Sequence, residues 1–277
     1  MSDLFREAAR LEEARVPFVW CVVAATERSA PRDGGARMLV IEDGSIHGTV
    51  GGGPLEASVI VEAKAMLRNV GESGTRLWSA ELTIHADDSI GMKCGGSVQV
   101  LLDRVQPPEL LHVFGAGHVG LAVTAAARVA GLAVQVHDDR DDRLALVPAE
   151  VPRSRFDVDA VERCAAAVRP GDRVVIVTRC HDVDERVLAA ILGTGAGYIG
   201  LIGSKAKAAQ IFRNIRRSAG RDPSRDPRVY SPIGLALGGK EPGEIAISVV
   251  AELLAVRSGT PAPHRRLPAR RGDEDET

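Results

Sequence analysis

Apolar and charged positions alternate at helical spacing over residues 3–15, and Pro17 ends that helix. Phe18 to Thr26 is a continuous apolar, β-rich run, the pattern of a buried strand. Ala36 to Glu42 and Ile46 to Val50 predict two strands joined by Asp43-Gly44, a hairpin turn. Gly51-Gly-Gly-Pro54 breaks the pattern, and Leu55 to Val70 resumes at helical spacing. Arg76 to Ile84 and Ser97 to Leu102 are further strands flanking a loop around Cys94. Residues 1–105 thus predict an α+β domain with a mixed or antiparallel sheet. Gln106-Pro107-Pro108 marks a linker, because two prolines cannot continue a central strand.

Beyond the linker the period changes. An apolar strand, Leu111 to Phe114, runs into Gly115-x-Gly117-x-x-Gly120, an alanine-rich helix follows from Leu121 to Ala130, and a second strand ends on Asp138. In such a unit Gly115 permits the sharp turn, Gly117 lets backbone approach a pyrophosphate, and Gly120 lets the helix lie close on the strand. The helix N-terminus offers free N–H groups to an anion. Further helices are expected at Asp157 to Val168, Asp182 to Leu192, Ser204 to Ser218 and Glu241 to Arg257, with strands at Arg173 to Thr178 and Tyr198 to Ile202. The alternation predicts a Rossmann-like, doubly wound parallel-sheet domain over residues 109–258. The fold class is therefore α/β, an N-terminal α+β domain followed by this second domain. Residues 259–277 hold prolines, arginines and acids with few apolar groups, the composition of a disordered tail.

Composition narrows the partners. Over 277 residues, 35 basic groups face 37 acidic ones, a balance that argues for neither nucleic acid nor an anionic membrane. The 3% of aromatic residues leaves little for base stacking. No CxxC pair links Cys21, Cys94, Cys164 and Cys180, which speaks against a disulfide framework or a zinc knuckle. Without a leader pattern or a long apolar run, the chain reads as soluble and cytoplasmic.

Candidate chemistry concentrates in three glycine-dense segments of the first domain: Ser29-Ala-Pro-Arg-Asp-Gly-Gly35, Gly51-Gly-Gly53 and Gly91-Met-Lys-Cys-Gly-Gly96. Each sits at a strand end, where permissive backbone serves a tight turn or the close approach of a ligand. With Arg32, Arg37 and Lys93 they compose an anion-binding pocket with a thiol. Cys94, between Lys93 and Gly95-Gly96, has the setting of a metal-ligating thiolate, whereas Cys21 and Cys164 read as small buried hydrophobes. In the second domain His118 stands at a helix start and can donate to a phosphate, and Asp138 can accept from a ribose hydroxyl. Arg140 beside it can accommodate an extra phosphate. Lys205 and Lys207 either pair with phosphate or join Arg213, Arg216 and Arg217 in a solvated face. Capping accounts for Glu56 and Glu244.

The three segments, read as Ser29-Ala-Pro-Arg32 with Gly35-Ala36, Gly48-Thr-Val-Gly-Gly-Gly-x-Leu-Glu56 and Gly91-Met-Lys-Cys-Gly-Gly96, resemble the XdhC/CoxI family of xanthine dehydrogenase accessory proteins. The resemblance runs on through His112 to Gly120, Asp138-Asp-Arg140, Tyr198-Ile-Gly-Leu-Ile-Gly-Ser204, Ser231-Pro-Ile-Gly234 and Pro242-x-Glu-Ile-Ala-Ile-Ser248. It implies a molybdenum cofactor (molybdopterin) chaperone, not an enzyme with turnover. Such a protein supports sulfuration of the cofactor by a cysteine desulfurase and its insertion into the molybdenum-binding subunit of xanthine dehydrogenase. It implies Cys94 as the residue tied to the cofactor's molybdenum. Where the family commonly has Thr-His-x-His-x-x-Asp, this chain has Thr178-Arg-Cys-His-Asp-Val-Asp184, which leaves His181 and Asp184 as an incomplete metal set with Cys180 as a substitute or a passive loop residue. Expected cofactor contacts are therefore Lys93, Cys94, Gly95, Gly96, Arg32, Arg37 and Gly51 to Gly53 (Gly51, Gly52, Gly53), with Gly115, Gly117, His118, Gly120 and Asp138 on the Rossmann side. The competing reading is an NAD(P)-dependent oxidoreductase resting on the βαβ unit, its one acid–base pair being His181–Asp184. Apolar helices such as Ile245 to Val256 suit a homodimer.

Overall fold

The computed structural model describes residues 2–27, 32–69, 74–82 and 96–260. The chain divides into two compact units, Met1–Pro108 and Glu109–Thr277.

In the first unit α1 (Ser2–Glu13) precedes β1 (Phe18–Glu27), β2 (Arg37–Ile41), β3 (Ile46–Gly48), α2 (Gly53–Arg68), β4 (Thr75–Glu81) and β5 (Ser97–Val105). The sheet is wholly antiparallel, in the order β3-β2-β1-β5-β4. The Asp43-Gly44 turn closes the β2–β3 hairpin: Gly44 takes φ +94° and the Asp43 carboxylate accepts from Ser45 N at 2.8 Å. One sheet face buries Val19, Cys21, Met38, Val100 and Leu102 under Leu55, Val59 and Ala63 of α2. The other packs Phe18 and Leu39 against Ala8 and Leu11 of α1. Alternation along β1 is what allows a helix on each side.

The second unit holds β6 (Leu110–Phe114), α3 (His118–Val129), β7 (Ala133–Asp138), α4 (Asp141–Leu144), β8 (Arg153–Arg155), α5 (Glu162–Ala165), β9 (Arg173–Ile176), α6 (His181–Ile191), β10 (Tyr198–Leu201), α7 (Lys205–Ala219), β11 (Val229–Tyr230) and α8 (Pro242–Ser258). All strands are parallel, in the order β11-β10-β9-β6-β7-β8. Numbered within the unit this is 3-2-1-4-5-6 read from the β8 edge, the order of dinucleotide-binding Rossmann sheets, with the switch point between β6 and β9. α3 and α8 cover one face through Val123, Ala127, Val249 and Leu253. α5, α6 and α7 cover the other through Ala165, Val187, Ile191 and Ile211. The expected capping by Glu244 is present: its carboxylate accepts from Lys240 N at 2.9 Å and Glu241 N at 3.1 Å.

One element differs from its sequence pattern. Asp157 to Val168 is a 3-10 turn (Val158–Ala160) followed by the single turn α5. Val161, Ala165 and Val168 do face the core, as a helical period requires. The bonds Ala160 N to Asp157 O, Cys164 N to Val161 O and Ala167 N to Cys164 O close three-residue turns and tighten the segment. Three short elements, α4, β8 and β11, have no counterpart in the expected pattern.

Candidate functional site

In the first unit the antiparallel register brings to one end of the sheet the strand ends that flank the glycine-rich segments. Glu27 pairs with Ser97, Glu81 with Ser97, and Met38 with Gly48, so β1, β3 and β4 leave the sheet where β2 and β5 enter it. There Arg32, Gly35, Ala36, Arg37, Gly48 and Thr49, with Asp3 and Leu4 of α1, line a cavity of about 410 Å³. The Arg37 guanidinium lies over the Phe5 ring, 5.3 Å from its centroid. Gly48 is obligatory: its φ is +82°, and a Cβ would stand 2.4 Å from Arg37 O. Arg32 and Arg37 are thus brought together, with Gly51–Gly53 following Thr49. Gly96, buried, sits where the chain re-enters this end, its carbonyl accepting from Leu82 N at 2.8 Å. Ser29 to Pro31, Lys93, Cys94 and Gly95 lie outside the described residues.

The Gly51–Gly53 loop is organised around Glu56. Its three glycines take φ +140°, +72° and +60°. Glu56 Oε2 accepts from Thr49 Oγ1 in a short bond, and from Val50 N and Gly52 N at 3.3 Å each. Gly51 N donates in turn to Thr49 Oγ1 at 3.1 Å.

In the second unit the fingerprint turn has the geometry its spacing demands. Gly115 takes φ +118°, and a Cβ there would sit 2.3 Å from Val177 O. A Cβ on Gly120 would sit 1.7 Å from Gly115 O, whereas one on Gly117 faces open space. His118 is exposed as the first residue of α3. Asp138 ends β7 as expected, but its carboxylate is engaged within the protein: Oδ2 accepts from Ala116 N at 2.7 Å, and Oδ1 from Arg140 N and Nε at 3.0 Å each. Burial raises its proton affinity, and the bonds from Arg140 and Ala116 outweigh it, holding the carboxyl below its ordinary range. Arg140 therefore sits on the acid that a ribose would use.

The Thr178–Asp184 segment is built differently from a metal site. Asp184 is fully buried; Oδ1 accepts from Thr178 Oγ1 at 2.6 Å and Thr178 N at 3.1 Å, and Oδ2 pairs with Lys207 Nζ at 2.6 Å. His181 is exposed and begins α6, with half-buried Cys180 at its N-cap. Among the described residues no three His, Cys, Asp or Glu side chains group as metal ligands. An internal ammonium holds the Asp184 carboxylate, so Lys207 does not belong to the solvated face of α7. Arg213, Arg216 and Arg217 are exposed.

A buried polar line was missed by sequence reasoning. His112 Nε2 lies 3.1 Å from Asp172 Oδ2, His112 Nδ1 lies 3.0 Å from His137 Nε2, and His137 Nδ1 lies 2.7 Å from Ser154 Oγ. Asp172 also accepts from Leu110 N at 2.8 Å and Arg169 N at 2.9 Å. Because a carboxylate only accepts, two neutral rings would order the donors from Ser154 through His137 and His112 to Asp172. Burial, then the neighbouring His112, pushes His137 down to about 3. The available signal was a histidine interrupting each of two apolar strands. Cys164 touches Ser154 and lines a second cavity of about 590 Å³ with Asp139, Arg155, Phe156 and Arg163; burial raises its thiol. Burial likewise pushes the Cys21 thiol to about 12, in keeping with a packing role.

The family model described as the XdhC Rossmann domain matches residues 111–253, and that of the XdhC and CoxI family matches residues 11–94, ending on Cys94. The chain belongs to the XdhC and CoxI family. YqeB, an uncharacterized protein of Escherichia coli strain K12, is 34% identical over 263 residues, 94% of this chain and 47% of that protein. A probable xanthine dehydrogenase subunit of Bacillus subtilis strain 168 is 27% identical over 172 residues, 58% of this chain and 47% of that protein. The chain thus spans about half the length of these curated relatives. A crystal structure described as a xanthine dehydrogenase from Bacillus halodurans aligns at 23% identity and TM-score 0.48, covering 91% of this chain and 96% of that one.

Proposed function

We propose that this member of the family is an accessory protein of xanthine dehydrogenase that carries the molybdenum cofactor, supports its sulfuration by a cysteine desulfurase and delivers it to the molybdenum-binding subunit. The observation that carries the reading is the cleft lined by Arg32, Arg37 and Thr49, at the sheet end where β5 begins at Ser97, three positions after Cys94 in the sequence. The cargo is an anionic pterin bearing a soft metal. Guanidiniums suit its phosphate, a thiolate suits its molybdenum, and a cavity of about 410 Å³ falls in the range of small-molecule sites. The role is binding and transfer. Self-association through α8 belongs to the same proposal, with one peak at twice the chain mass in analytical ultracentrifugation as its expected signature.

Protein purified from cells competent for cofactor synthesis should carry molybdenum and a fluorescent pterin. Cys94→Ala should lose most of the molybdenum, and Arg32→Ala with Arg37→Ala most of both, while unfolding curves stay close to wild type. Full cofactor retention in Cys94→Ala would overturn the assignment. The strand order and the fingerprint favour a second reading, an NAD(P)-dependent oxidoreductase. Against it, Asp138 is held by Ala116 and Arg140. Calorimetric titration with NAD and NADP separates the two: binding of either with hydride transfer would replace the carrier by an enzyme.

A further inference from the structure

We infer that Glu56 is a built-in competitor for the anionic end of the cargo: in the free protein its carboxylate fills the oxyanion position beside the Arg32–Arg37 cleft, and a phosphate monoester displaces it. The inference deepens the carrier reading and rests on it.

Three donors converge on the single oxygen Oε2: the Thr49 hydroxyl, Val50 N and Gly52 N. Convergence of this kind on one oxygen is how backbone loops hold anions. The start of α2, a helix of 16 residues, adds its dipole at the same place. Both backbone bonds are 3.3 Å, longer than the roughly 2.7–2.9 Å of charge-assisted bonds. The carboxylate is therefore seated loosely on the backbone side. A Cβ built on Gly52 or Gly53 meets nothing within 4 Å, so the outer face of the loop is open to a larger group. Thr49 itself lines the cleft with Arg32 and Arg37, and among the described residues neither guanidinium is in a salt bridge. The cleft thus holds two cations, with the exposed Asp3 carboxylate at its lining turned to Arg6, beside an internal anion that engages the loop donors with one oxygen. A phosphate monoester brings more oxygens and more charge to the same donors and to both arginines.

A purely structural cap would use the same three bonds, and the amide of Glu56→Gln separates the roles. It keeps an acceptor oxygen for Thr49 and the loop while removing the charge. The full chain, purified from cells unable to make the molybdenum cofactor, is titrated by calorimetry with inorganic phosphate and with phenyl phosphate. Glu56→Gln should bind phenyl phosphate about tenfold more tightly than wild type, as expected for removing one nearby like charge. Adding Arg32→Ala and Arg37→Ala should abolish binding in both backgrounds, with unfolding midpoints confirming the folds. Equal affinity in wild type and Glu56→Gln, binding that survives loss of both arginines, or no binding to any variant would each overturn the inference. Pterin content of wild type from competent cells tests the carrier reading separately. Pterin retention with unchanged phosphate affinity sinks only the role of Glu56. The expected phosphate series without pterin sinks only the cargo.

Discussion

Gly117 and Gly120 belong to one fingerprint yet face opposite constraints. Gly120 has backbone 1.7 Å from any added Cβ, so Gly120→Ala must push α3 off β6 and should cost about 3 kcal/mol in urea unfolding. Gly117 has open space and φ −76°, so Gly117→Ala should cost only about 1 kcal/mol, the loss of a good N-cap. A larger penalty at Gly117 than at Gly120 would contradict this geometry. His137 offers a second test. Its folded value is about 3 against an ordinary 6.5, so below pH 6.5 the unfolded chain takes up a proton that the folded one refuses. Its contribution is fully present above pH 6.5 and is lost as pH falls toward 3. Between pH 6 and 5, above the ordinary carboxylate range, stability should fall by about 1.2 kcal/mol per pH unit from this residue. His137→Gln should flatten that slope; an unchanged slope would mean the ring is not the group responsible.

Among the elements, α6 and α7 are tied by Asp184 and Lys207, with the carboxylate fully buried and the lysine partly so. Lys207→Met leaves that charge facing only Thr178 and should destabilise by about 3 kcal/mol in chemical denaturation. The double change Asp184→Leu with Lys207→Met should cost clearly less than the sum of its parts, because no charge is stranded; strict additivity would show the pair to be uncoupled. Neither residue's role was legible in sequence. Lys207 lies among exposed cations on α7, and no local period shows that its ammonium reaches a different helix. Local signals did report the elements themselves: Asp43-Gly44 gave the hairpin, and Val161, Ala165 and Val168 gave a buried face. They failed where segments were too short to express a period, as in Arg153-Ser-Arg155 and Val229-Tyr230.

For the whole molecule, each unit has its own core, and the linker prolines fall at the boundary between them. The parallel topology of the second unit was readable because glycine spacing and alternation are local properties. The convergence of Arg32, Arg37 and Thr49 on one cleft was only partly readable. The strand ends could be listed from sequence, but their common end of the sheet follows from antiparallel register. Asp138 was placed correctly at its strand end, while its capture by Arg140 and Ala116 depends on atomic geometry. Among the described residues no helix is long and apolar enough to cross a membrane.

The line from Ser154 to Asp172 bears on how such a protein can vary. Each member has its partner on another strand or loop, so a single replacement leaves an orphaned donor or acceptor in the interior. Drift at these four positions is therefore locked together. In a lineage that loses Ser154, His137 and His112 should be lost in the same stretch of descent, replaced as a set by apolar groups. The edge strand β8 has its own stake in that lock, since a slip by one residue would point Arg153 or Arg155 at His137 in place of a hydroxyl. A family tree of these positions would show paired gains and losses, and the histidines would disappear together.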